Sequence, residues 1–424
     1  MKVAGIIVEY NPFHNGHVHH IKKTRELTGA DFIVAVMSGD YVQRGMPAIM
    51  DKYLRCEMAL SQGADLVLEL PVAYSTASAE SFAMGAVSLI DNLGVADSIC
   101  FGSECGDIGL LSYLAGHLKE ESPAFQEAIQ RELSSGQPYP AARERAIASC
   151  RDLPGGLSPA EELTCDDLSA LLSEPNNILA LEYLKSLKRR SSSLTPITIK
   201  REGSGYHDLT VNKELASASS IRALYQSDDL SALDNLVPSS VLSILNREYQ
   251  KRFPIFPNDF SICLYYRLLL EKDRNISLLQ YQDVSSDMGK RIYNELDSFR
   301  CYEEFAKHIK TKQYTLTRIN RSLLHILLNI KARDYQFYSQ HDFTPYARVL
   351  GFRKDSSELL SAIKKHSSIP LITKLADAEK NLNTCGKKMI WQDILAANLY
   401  RKIQEEKFHT ELPNEYTEGL RIVP

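Results

Sequence analysis

The sequence predicts an α/β fold, with a mostly parallel sheet in its first half followed by a mainly helical second half. Three observations carry that prediction. Five short apolar runs, at residues 2–8, 32–37, 64–70, 97–101 and 196–200, alternate with segments of helical period, the pattern of βαβ units. The turn after the first run, EYNPFHNGHVHH at residues 9–20, sets the turn formers Asn11, Pro12 and Gly16 ahead of a helical pattern. Beyond Tyr225, the stretches VPSSVLSILNREYQKRF, SICLYYRLLLEK, RSLLHILLNIKAR and DILAANLYRKIQEEK read as helices with few strand signals between them.

The first run, KVAGIIV, is the continuous apolar stretch that a parallel strand buried on both faces requires. The helix after it places Val18, Ile21 and Leu27 on one side and His19, Lys22, Lys23 and Glu26 on the other. A second helix, over about residues 79–93, buries Phe82, Ala86 and Leu93, with Gly94 as its C-cap. Residues 122–175 read as an interrupted helical insertion; at the carboxyl edge of a parallel sheet such an insertion borders the ligand crevice. The basic, serine-rich KSLKRRSSSL is a solvated connection or a local RNA contact. The expected division is a nucleotide-binding domain over 1–230 and a helical domain over 231–424.

With 424 residues, 44% of them hydrophobic, the chain has the material for at least one full core. No run approaches a membrane span, and Glu9 comes too early for a signal peptide, so the cytoplasm is the expected compartment. Eight cysteines without a C-x-x-C pair argue against a disulfide framework or a zinc site, and no other metal-ligand set stands out. A net charge of −4 excludes general affinity for nucleic acid, so any RNA site must be a local basic patch.

The chemistry concentrates at His14 and His17, either side of Asn15 and Gly16. A glycine there lets a bulky anion approach the backbone, and the start of the next helix offers free N–H groups and a positive dipole end. Imidazole N–H groups suit phosphate oxygens. A single loop histidine is usually solvated or satisfied in the core; two in H-x-G-H directly after the first strand point to phosphate.

H-x-G-H in this position resembles the HIGH motif of the Rossmann-like nucleotidyltransferases. Together with GIIVEYNPFHNGH, the stretches MSGDYVQRGMPAIMDKYLR, GADLVLELP, SAESFAMGAVSLI, FGSE, PNNILALEYLK and REGSGYHD resemble the tRNA(Met) cytidine acetate ligase family over most of the first half. One departure is Asp40-Tyr41, where the family pattern SGNFVQRG has asparagine and phenylalanine. The resemblance implies catalytic His14 and His17. It also implies an ATP-binding stretch of Ile7, Val8, Glu9, Tyr10, Asn11, Pro12, Phe13, His14, Asn15, Gly16, His17, Val18, His19 and His20. Gly102 in FGSE is placed for close approach to adenosine, with an ordinary turn as the alternative. Asn176 and Asn177 either contact ATP or cap the helix that follows. Arg201 is an ATP contact by the family pattern; Ser219, Ser220 and Arg222 in ASASSIRALY suit the β and γ phosphates, with an N-cap and a surface arginine as the alternative.

Arg44, Lys52 and Arg55 are candidates for triphosphate or RNA, and Gln43 and Asp40 for acetate or cytidine. In the second half, Arg318, Arg321 and His325 share a helix face, and PYARVLGFRK adds Arg348, Arg353 and Lys354 beside Tyr346 and Phe352, a mixture suited to RNA. The implied reaction is ATP-dependent activation of acetate as acetyl-adenylate, with Mg2+ accompanying the triphosphate, and acetyl transfer to the wobble cytidine of elongator tRNA(Met) as N4-acetylcytidine. Two rivals are an adenylyltransferase acting on a small phosphorylated acceptor, which needs no helical RNA-binding half, and a non-catalytic tRNA-binding factor.

Overall fold

In the computed structural model, which describes residues 1–117, 123–135, 142, 145, 165–201 and 217–424, the first half builds the expected parallel sheet. Its strands are β1 (Val3–Val8), β2 (Phe32–Ser38), β5 (Leu66–Leu70), β6 (Ser98–Ser103) and β7 (Thr195–Lys200), with a small hairpin of β3 (Tyr41–Val42) and β4 (Met46–Pro47) between β2 and β5. The order β5-β2-β1-β6-β7 is parallel throughout. The chain lays strands outward from β1 on one side and then restarts with β6 on the other. The crevice above the carboxyl ends of β1 and β6 is therefore the switch point at which such sheets bind ligands.

Strand periodicity divides the interior. On β2, Val34 and Val36 face one core while Ile33, Ala35 and Met37 face another. Helices α1 (Asn15–Thr28) and α2 (Lys52–Ser61) cover the second face through Ile21, Leu54, Met58 and Leu60. Helices α3 (Ala79–Asn92) and α4 (Pro175–Arg190) cover the first through Phe82, Ala86, Ile90, Leu181 and Leu184. The helix α5 (Ala218–Ser227) returns to the α1 side through Ile221 and Tyr225.

The division expected near residue 230 is not a division of the sheet. The segment PYARVLGFRK forms β8 (Ala347–Arg353), antiparallel to β5, and β9 (Leu371–Ile372) and β10 (Arg421–Val423) pair with β8. A third core lies among the helices of residues 255–330. It includes Ile319, Leu323 and Ile326 of α6 (Leu316–Leu327) and takes in Tyr41 and Val72 from the first half. The long helix α7 (Thr384–Phe408) joins two cores, with Met389, Ile390 and Ile394 in one and Ala396 and Tyr400 in the other. Among the described residues, no helix is long and apolar enough to cross a membrane. The middle of the expected insertion, and the REGSGYHD stretch after its arginine, lie outside the described residues.

Candidate nucleotide site

The floor of the crevice is fixed by a buried cation. Arg55 on α2 is 0% exposed; its guanidinium donates to the carbonyls of Glu9 (2.6 Å), Ser38 (3.0 Å), Met50 (3.1 Å) and Gly39. It ties the ends of β1 and β2 together, which corrects the expectation of a triphosphate or RNA contact. Tyr10 then turns through a left-handed conformation (φ 50°), and the Asn11 side chain accepts from the Ile49 amide at 2.7 Å. Phe13 and Tyr10 are buried in the core on the α1 side, the Tyr10 hydroxyl without a hydrogen-bond partner among the described residues.

His14 is the N-cap of α1. Its Nδ1 accepts from the Gly16 amide at 3.1 Å, and the Nδ1 of His17 accepts from the His14 amide at 3.1 Å. The two rings stack with centroids 3.7 Å apart, and the edges of Tyr10 and Phe13 brace His17. Both Nδ1 atoms are acceptors, so in each neutral ring the proton sits on Nε2. Burial, followed by the Arg201 and Arg222 charges, lowers His14 to about 3; burial and the neighbouring histidines hold His17 well below its ordinary range. His20, one turn further, is lowered to about 4 by burial and Arg201, and its Nε2 is buried without a hydrogen-bond partner. The result is a stripe of neutral imidazoles facing arginine.

Those arginines come from separate elements. Arg222 on α5 donates to the Asn11 carbonyl (2.7 Å) and to Ser219 Oγ (3.0 Å), and burial lowers it to about 10. Arg201 follows β7, its amide bonded to the Ser103 carbonyl at 2.9 Å, and a Cβ placed on Gly102 would stand 3.3 Å from its side chain. Gly102 and Arg201 thus meet at the β6 side of the switch point. Ser220 is turned inward, its hydroxyl on the Ser217 carbonyl, while Ser217, which the sequence reading passed over, caps α5. Asn15 is held by Leu236 and Asn235.

At α4 the capping group is neither asparagine. Glu104 accepts from the amides of Asn176 and Asn177 and from the Asn176 side chain, while Asn177 bridges the Cys105 amide and the Leu171 carbonyl. The asparagine pair therefore holds the FGSE loop against α4.

The expected RNA residues do not form one surface. Arg348 is 4% exposed within a buried cluster, paired with Glu69 (2.9 Å) and with Glu415 of the C-terminal tail. Lys52 joins it, 2.8 Å from Glu69 and 2.9 Å from Glu415, and Asp40 accepts from the Lys52 amide. Burial raises Asp40 to about 7. These groups are unavailable to RNA or triphosphate, because a buried charge needs its partners. Arg353 and Lys354 lie at the opposite edge of the sheet, since β8 runs against β5 and Arg353 bonds Asp65 at the start of that strand. Arg321 is committed to Asp283 at 2.7 Å, and His325, 0% exposed, is bonded between Thr76 and Gln282. Arg318 lies 5.1 Å from the centroid of the Tyr314 ring. The basic last turn of α4 is likewise structural: Arg189 pairs with Glu80, and Arg190 with Asp91 and Asp342.

The family model described as HIGH Nucleotidyl Transferase matches residues 1–415. A tRNA(Met) cytidine acetate ligase of Acetivibrio thermocellus is 40% identical, covering all of both chains; one of a Thermoanaerobacter species is 42% identical, covering 94% of this chain and 95% of the relative. The chain belongs to the tRNA(Met) cytidine acetate ligase family. Among solved structures, the ligase of Thermotoga maritima (TmcAL) superposes with a TM-score of 0.91 in its apo form. With alpha-thio ATP bound the score is 0.89; both comparisons are at 30% identity over 100% of each chain. Asp40-Tyr41, the departure from the family pattern, falls in the buried charge cluster and beside the Phe260 and Tyr400 rings.

Proposed function

We propose that the chain is an ATP-dependent ligase that activates acetate as acetyl-adenylate, releases pyrophosphate, and passes the acetyl group to N4 of the wobble cytidine of elongator tRNA(Met). The observation that carries the adenylation half is the pair of neutral, stacked rings at the switch point, with both Nδ1 atoms already accepting backbone N–H groups. Each ring has one donor left, Nε2–H, fixed in direction before any substrate arrives, which is the preorganisation that charge growing on an α-phosphate rewards. Arg222 and Arg201 supply the positive field, and Gly102 the space for adenosine. The relatives' names and the nucleotide-bound Thermotoga ligase support this reading.

The activation step follows from chemistry. Acetate is a poor acyl donor and the cytosine amine a poor nucleophile, so the carboxylate oxygen first attacks the α-phosphorus and pyrophosphate leaves. The amine nitrogen then attacks the acyl carbon, AMP leaves, and the amine loses a proton. Mg2+ enters as counter-ion to the triphosphate; among the described residues no group of three or more His, Cys, Asp or Glu is arranged to hold a metal, and no step is assigned to one. The reaction belongs in the cytoplasm, where its tRNA is. The test is incubation of the protein with ATP, radiolabelled acetate and total tRNA. Label in a cytidine of tRNA(Met) is expected; turnover only with a small phosphorylated acceptor would select the adenylyltransferase rival.

A further inference from the structure

We infer that a basic groove at the junction of α6 and α7 is a docking site for an unpaired nucleotide of the RNA substrate, with Trp391 as its stacking platform; this rests on the tRNA ligase reading. The groove encloses about 260 Å3 and is lined by Lys331, Arg333, Asp334, Lys388, Trp391 and Leu395 among others. Trp391 is the only tryptophan in the sequence and is 51% exposed, on a helix that buries its neighbours Met389, Ile390 and Ile394. Leu395, one turn on, is exposed beside it. Three cations face one carboxylate, that of Asp334, which is itself buried and held by Lys388 (2.5 Å) and Gln392 (3.0 Å). In a chain of net charge −4 this is a local excess of positive charge around an aromatic face.

An exposed indole flanked by lysine and arginine is the arrangement on which unstacked bases sit while cations follow the backbone. A seam between protein copies favours tryptophan too, but it is depleted in lysine, and here Lys331 and Lys388 line the groove with the ring. The position also suits RNA. A Cβ on Gly45 would collide with the backbone of Asn320 and Arg321 in α6, and Gln43, two residues earlier, bonds Glu9 at the crevice. The groove opens where the same helix ends, about 10 Å further along its axis. A loop whose target base enters the crevice can thus rest a second base on Trp391.

The experiment follows the fluorescence of the lone tryptophan in the full-length protein during titration with a tRNA(Met) transcript, and compares Trp391→Ala, Trp391→Phe and Lys331→Glu with wild type. The expected result is quenching that weakens with added salt. Trp391→Ala should raise KM for tRNA by about 5- to 150-fold, Trp391→Phe should restore most of the loss, and acetate-dependent ATP–pyrophosphate exchange without tRNA should be unchanged. Unchanged fluorescence with an unchanged KM overturns the inference. So does a change of sedimentation in Trp391→Ala with KM intact, which assigns the groove to a contact between copies. If wild type transfers no acetate to tRNA, the ligase reading falls, while quenching, which needs no turnover, still decides the groove.

Discussion

Replacing Arg348 by alanine separates two readings of the same residue, a contact for RNA and a strut in the core. In the structure its guanidinium lies between Glu69 and Glu415, with Lys52 and Asp40 completing the cluster. Removing it leaves Lys52 alone against three carboxylates, and taking one partner from a buried pair costs about 3–5 kcal/mol. An unfolding entropy near 2.1 cal/mol/K per residue gives a chain of 424 residues roughly 0.9 kcal/mol/K, so the melting temperature should fall by about 3–6 °C. Glu415→Ala should cost less, because it leaves two cations facing two carboxylates. Thermal melts of both variants, with KM for tRNA measured well below the melting range, make the comparison. An unchanged melt with weakened tRNA binding would return Arg348 to the RNA surface and refute the reasoning.

Three further outcomes are expected. Arg222→Ala removes the charge-assisted hydrogen bonds that Arg222 can offer a phosphate, each worth about 1.5–3 kcal/mol, so acetate-dependent ATP–pyrophosphate exchange should need about 10- to 150-fold more ATP. Arg222→Lys should not restore it, because one ammonium cannot span Asn11 and Ser219 as the guanidinium does. Acid should destabilise the fold through His14, His17 and His20, whose pKa values lie below the ordinary 6.5. The unfolded chain binds more protons between about 3 and 6.5, so stability is full above that window and falls as pH drops through it, as urea midpoints will register. Gly45→Ala should lower stability, since that residue sits at φ 74° against the backbone of α6; ATP affinity of the folded fraction should change less than stability.

The parts of the fold legible in the sequence are those set by neighbours along the chain. The five parallel strands were readable because each is a closed apolar run, and the H-x-G-H turn because its capping pattern is local. β8 was hidden because Arg348 and Arg353 interrupt its apolar character, and a strand that carries a buried arginine reads as a basic surface until its partners are known. Those partners, Glu69 and Glu415, lie 279 and 67 residues away, so nothing local announces them. The tail EYTEGLRIVP carries no strand or helix pattern of its own for the same reason, yet Glu415 closes the charge cluster and β10 extends the sheet. At α4 an asparagine was the natural cap, but Glu104, 72 residues earlier, reached the helix end first. Ser217 did carry a local signal, a serine three residues before Ser220 at the head of a helical run.

The most direct test of the account is a crystal structure with a non-hydrolysable ATP analogue in the crevice. The account predicts an α-phosphate oxygen within about 2.7–3.2 Å of Nε2 on both His14 and His17, with adenosine over Gly102 and the outer phosphates beside Arg222. An α-phosphate bound away from both rings, or rings turned so that Nδ1 rather than Nε2 meets it, would contradict it.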